Sequence, residues 1–322
     1  MRRREFLGLA GGASLWPVIA NAQGDRKTWR IGFIARGHEA FYDALFSGLH
    51  DLGYDEGRNL KVERRYAGDR TELFAEYAAE MVRLKADCII VVTTPAALAV
   101  KKATTTIPVV FPNAINPVES GVVASLARPG GNVTGGAAQT AILSAKRLEI
   151  LKETVPGLSR VAVMWNGANP ALAFAWRETQ RAGGVLGVAL KPFELREPKD
   201  LQIAFDTMLQ ERPNALVVLQ DSLTLQHKQQ IIDFTILNRI PGMFAAREWV
   251  TADGLMSYGE NLAEMYRHAA SFVDRIFKGQ KPADLPVEQV TKFELVLNSK
   301  TARLLGLSIP PSLMAIADEV IE

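Results

Sequence analysis

The chain has 322 residues, 48% hydrophobic and 22% charged, with 37 Lys and Arg against 35 Asp and Glu. That composition supports a sizeable buried core, excludes a disordered or collagen-like chain, and predicts two domains. A formal net charge of +2 gives no general attraction to nucleic acid or an anionic membrane, and one cysteine with four scattered histidines shows neither a disulfide framework nor metal-ligand spacing.

Arg2, Arg3 and Arg4 precede a mostly apolar stretch, 6–19, and Ala20-Asn21-Ala22 supplies the small residues of a cleavage site before Gln23. The predicted export leader, 1–22, contains Arg3-Arg4-Glu5-Phe6-Leu7, similar to the twin-arginine pattern; an ordinary Sec leader is the alternative. Its removal takes three arginines and one glutamate, which leaves 34 basic and 34 acidic side chains, a neutral chain. No apolar run reaches the ~20 residues that span a bilayer. Cys88 lies inside an apolar run, away from the cleavage site, so neither membrane insertion nor a lipid anchor is expected.

After the leader, β-rich runs alternate with helical periodicity. Strands are predicted at 29–34, 60–66, 88–92 and 109–111, and helices at 41–52, 73–84 and 96–103. The pattern restarts with helices at 143–154, 171–186, 201–210 and 227–238 between strands at 161–165, 188–193, 215–219 and 242–245. A strand at 255–258, a helix at 262–278 and a strand at 293–297 with a helix behind it close the chain. Such alternation means parallel sheets, so the fold class is α/β, with a second half that repeats the first. The Gly- and Pro-rich segment 127–136 suits a chain reversal, and the first hinge is placed near 134–138. The expected lobes are 28–135 with about 257–287, and 136–256 with about 288–322.

In parallel α/β sheets ligands sit beyond the carboxyl ends of the strands, so two facing sheets predict an inter-lobe cleft. Candidate ligand residues follow from that geometry. Thr93 and Thr94 precede Pro95 at a helix start, where hydroxyls and free N–H groups suit an anion, or Thr93 simply caps the helix. Asn113 and Asn116 follow the fourth strand, with Asx-turn chemistry as the plain alternative. Arg36 follows the first strand and suits a carboxylate, although surface exposure is its expected fate. Asn169 and Asp221 follow second-lobe strands and either cap helices or meet a ligand, Asp221 being the best carboxylate for an amine. Arg247 and Tyr258 follow later strands, with Tyr258 stacking on a ring or packing the hinge. Neither a nucleophile elbow nor a phosphate-binding glycine loop is present, so no enzyme and no cofactor are predicted.

Several segments carry a family resemblance across nearly the whole chain after the leader: Gly53-Tyr54-Asp55-Glu56-Gly57-Arg58-Asn59-Leu60, Thr94-Pro95-Ala96-Ala97-Leu98, the run from Ala124 to Gly135, Gly254-Leu255-Met256-Ser257-Tyr258-Gly259, and Pro282-Ala283-Asp284-Leu285-Pro286-Val287-Glu288. The chain resembles the periplasmic solute-binding proteins of ABC transporters, in the tryptophan/tyrosine-type substrate-binding family with a type I periplasmic-binding fold. The resemblance implies two Rossmann-like lobes with parallel sheets joined by a multi-crossover hinge, and a periplasmic receptor for an amino acid, aromatic or other carboxylated solute, delivering it to an ABC permease in the inner membrane. Relatives usually carry an acidic residue where this chain has Asn116, which favours a carboxylated compound without an ammonium group. A monomer that neither binds nucleic acid nor inserts into a membrane is expected. The alternative is a sensor that passes its closed state to a membrane partner.

Overall fold

The computed structural model describes residues 27–322; the predicted leader lies outside the described residues. In chain order the elements are β1 (Trp29–Ala35), α1 (Asp43–Asp51), β2 (Leu60–Tyr66), α2 (Leu73–Arg83), β3 (Cys88–Val91), α3 (Thr94–Ala103), β4 (Val109–Ile115), β5 (Val133–Ala138) and α4 (Thr140–Thr154). They continue with β6 (Arg160–Asn166), α5 (Pro170–Leu186), β7 (Ala189–Leu195), α6 (Asp200–Glu211), β8 (Ala215–Val218), α7 (Ser222–Gln226), α8 (Lys228–Leu237), β9 (Gly242–Phe244), α9 (Arg247–Val250) and β10 (Met256–Glu260). The last are α10 (Leu262–Phe277), β11 (Glu288–Gln289), β12 (Phe293–Asn298), α11 (Ser299–Leu304), α12 (Pro311–Ile316) and β13 (Glu319–Ile321).

Two sheets result. The first runs β11-β5-β4-β3-β1-β2 and the second β13-β12-β10-β9-β8-β6-β7, every pairing parallel except β10 with β12. In each, the chain winds outward in both directions from a central strand, β1 or β6. That makes a topological switch point between β1 and β3 in the first sheet and between β6 and β8 in the second, where loops diverge and leave a crevice. Strand β3, inside the first sheet, is apolar throughout, as a sheet covered on both faces requires: Cys88 to Val91 are all buried.

The helix that matters most for the cleft is α10. Its buried residues, including Leu262, Met265, Tyr266, Ala269, Phe272, Val273 and Ile276, recur at three- and four-residue spacing and bind it to the first lobe beside α1. Gly48 permits that approach, since a Cβ there would lie 2.8 Å from the Arg267 carbonyl oxygen. One apolar cluster then runs unbroken from Phe33 and Leu45 of the first lobe to Met164 and Leu223 of the second, so the lobes touch.

Two expectations need correction. Residues 134–138 are not a hinge but most of β5, fully buried between β4 and β11. Its glycines serve close backbone contact rather than a turn: Gly135 has φ +146°, and a Cβ on it would lie 1.9 Å from the Phe111 carbonyl oxygen. The crossovers therefore fall after Ala138, Glu260 and Gln289, each two to four residues later than expected, because β5, β10 and β11 stay whole in their sheets. The region after β8 also differs. A separate short helix, α7, precedes α8, because the Asp221 side chain and Thr224 hydroxyl cap one another's backbone there.

Gln139 ties the three crossovers together. Its backbone N–H donates to Glu260 Oε1 and its side-chain amide to the Val290 carbonyl oxygen, both at 2.6 Å. Among the described residues, no helix is long and apolar enough to cross a membrane.

Candidate functional site

At the two switch points the lobes enclose a space of about 530 Å³, mouth included. The first lobe supplies Gly37, Glu39, Phe41 and Tyr42 after β1, Val92 after β3, Asn113 and Ile115 of β4, and Leu262 and Tyr266 of α10. Gln220, Asp221, Ser222, Leu225 and Gln226, all after β8, form the opposite wall.

The first-lobe wall is aromatic. Tyr42 and Tyr266 stack with centroids 5.1 Å apart and planes at 27°, and Phe41 meets both edge-on at 4.9 and 5.0 Å. All three rings are buried. Burial raises the ionisation of both tyrosine hydroxyls well beyond the ordinary range, so both stay neutral. Asn113 Oδ1 is buried at this wall without a hydrogen-bond partner. Glu39 accepts from Lys228 Nζ of the second lobe at 3.3 Å, and burial raises its carboxyl despite that lysine.

The second-lobe wall is polar but occupied. Asp221 Oδ1 accepts from the backbone N–H groups of Leu223 (2.9 Å) and Thr224 (3.2 Å), while Oδ2 accepts from Asn166 Nδ2 (2.6 Å) and Asn169 Nδ2 (3.5 Å). A carboxylate offers about four acceptor positions, so its capacity is filled from within the lobe. Burial raises its pKa. Gln220 Oε1 accepts from the indole N–H of the fully buried Trp249 at 2.6 Å, and Ser222 Oγ accepts from Arg36 Nε of the first lobe at 3.3 Å.

Of the nine predicted site residues, Asn113 and Asp221 line this space and the other seven do not. Arg36 is 4% exposed rather than on the surface, its Nη1 directed to the Gly68 carbonyl (3.2 Å) and Asp69 Oδ1 (3.4 Å). Thr93 caps α3 through the Ala96 N–H at 3.2 Å, and Thr94 is buried in the first turn. Asn169 caps α5 through the Ala171 N–H at 3.1 Å. Asn116 reaches across the cleft, its Nδ2 donating to the Ala171 carbonyl at 3.0 Å; at φ +45° it holds a left-handed turn before Pro117. It bonds one lobe to the other and does not line this space. Arg247 is ion-paired with Glu319 at 2.5 Å, and Tyr258 packs against Phe293 at 6.2 Å.

Glu39, Tyr42, Tyr266 and Gln220 were missed. Phe41 falls at the start of the predicted 41–52 helix, and Tyr266 within the predicted 262–278 helix. The signal available was position: Glu39 and Gln220 sit within five residues of the carboxyl ends of β1 and β8.

The fold and the inter-lobe site together define a type I periplasmic-binding architecture. Residues 35–321 match the family described as ABC transporter substrate binding protein, and the chain belongs to that family. It is 24% identical over 263 residues to the Tyrosine-binding protein of Clostridioides difficile (strain R20291), covering 82% of this chain and 75% of that protein. The ABC domain of Streptococcus pneumonia solved with L-Trp is 22% identical, with a TM-score of 0.85 over 92% of this chain and all of the other. A ligand-free, open substrate-binding protein with adhesive properties from Clostridium difficile is 21% identical, with a TM-score of 0.64 over 91% of this chain and 99% of the other.

Proposed function

We propose that this chain is the solute receptor of an ABC importer, exported to the periplasm by its N-terminal leader. It closes its two lobes over a small ring-bearing solute of amino-acid size, and the closed form docks as a monomer on a permease. The carrying observation is the space at the facing switch points, roofed by residues of both lobes and flanked by three cross-cleft hydrogen bonds: Arg36 to Ser222, Lys228 to Glu39, and Asn116 to Ala171. Contacts that exist only when the lobes meet favour the closed state in proportion to the affinity difference, and so couple ligand to shape. The better superposition on the structure solved with L-Trp than on the open, ligand-free one supports a closed arrangement here.

The solute leaves unchanged, and the aromatic wall, not any reactive group, selects it. A thermal-shift screen of aromatic amino acids, amines and acids, followed by small-angle scattering on the hits, tests this. A ligand at 100 times its Kd adds about 2.7 kcal/mol of stability, and should reduce the radius of gyration. Binding without compaction would rule out the closing receptor.

A further inference from the structure

The charge inventory of the cleft goes further than its shape. Among the described residues no Lys or Arg lines the space, and its charged lining residues, Glu39 and Asp221, are both acidic. Two cations that bond lining residues are already engaged: Arg36 with Gly68, Asp69 and Ser222, and Lys228 with Glu39. A ligand carboxylate would thus lose its hydration without gaining a guanidinium or ammonium partner, and would meet two acidic side chains. On the first-lobe wall the carboxylate is Glu39, held at 3.3 Å by Lys228 of the other lobe. The stacked faces of Tyr42 and Tyr266 add the negative potential that aromatic rings present to cations.

We infer that the site recognises an arylalkylamine, a ring with a protonated amine and no need of a carboxylate, with the ring against Phe41, Tyr42 and Tyr266 and the ammonium group donating to Glu39. This rests on the receptor reading above and narrows its solute class. Lys228 is the competitor: it occupies Glu39 in the absence of ligand, so the incoming ammonium group exchanges one cation for another and the carboxylate is never left unpaired.

The test is calorimetric titration of the purified protein with phenethylamine, phenylalanine and 3-phenylpropionate, three molecules that share a ring and differ in charged groups. Phenethylamine should bind tightest and 3-phenylpropionate at least about tenfold more weakly, the scale of one charge-assisted hydrogen bond. Glu39→Gln should erase that preference, and Lys228→Met, which frees Glu39, should enlarge it; opposite responses cannot both come from loss of folding. Failure of phenethylamine to bind, or tighter binding of either carboxylated probe, overturns the amine assignment. If a carboxylated probe binds and compacts the protein, the receptor reading stands without it. If no solute from the wider screen compacts the protein, the receptor reading falls as well.

Discussion

The two walls of the cleft are built on the same topology and differ in what they leave free. After β1 the chain presents ring faces and a carboxylate held by Lys228; after β8 Gln220 Oε1 accepts from Trp249, Asp221 from α7 and Asn166, and Ser222 Oγ from Arg36. The first wall is arranged for a guest and the second for its own rigidity. A buried polar group is therefore no guide to ligand contact until its existing partners are counted.

The sharpest way to break this comparison is to remove a ring. Tyr266→Ala deletes a fully packed aromatic and should cost about 3–5 kcal/mol in urea unfolding, together with ligand binding. A loss below about 1 kcal/mol would mean that the wall gives way around the gap and is not a rigid surface. Next comes Asp221→Ala, which removes a helix cap and strands the Asn166 amide, and should cost about 2–3 kcal/mol. Were Asp221 held for a ligand, stability would stay near that of the parent and only affinity would fall.

A smaller effect is expected at the hinge. Gln139→Ala removes the amide bond to Val290 but keeps the backbone bond to Glu260, so stability should fall by about 1 kcal/mol. The more telling measurement is the spread of inter-lobe distances between two spin labels, which should broaden without ligand. An unchanged distribution would show that the three crossovers hold their angle without this tie.

The smallest effect is in pH. Burial, its largest cause, raises Glu39 and Glu248, whereas Arg64 beside Glu56 and Arg65 beside Glu80 lower those carboxyls. A raised carboxyl contributes stability that is present below its unfolded pKa and lost as pH rises through the folded one; a lowered carboxyl contributes stability present above the unfolded pKa and lost as pH falls through the folded one. Glu39→Gln should thus gain stability over the parent as pH rises from the carboxylate range to neutrality. Glu80→Gln should lose stability at neutral pH, with the deficit closing as pH falls. Parallel curves for both variants would remove the electrostatic distinction between cleft and surface.

Periodicity and local caps were legible in the sequence because they depend on neighbours a few positions away. The apolar runs of β1, β3, β6 and β8, the Thr93 and Asn169 caps before their prolines, and the helical spacing of α10 all appear where the pattern placed them. Strand β5 was hidden because its glycines, normally breakers, are required by a carbonyl 1.9 Å from where a Cβ would stand. The chain by itself therefore determined an α/β protein of two mostly parallel sheets and the ends of β1, β2, β3, β6, β8 and β9. Which side chains at those ends remain free was decided only by the tertiary structure. Tyr42 meets Tyr266, Glu39 meets Lys228 and Asn116 meets Ala171 across separations that no local pattern encodes, and burial fixed whether each polar group was already satisfied.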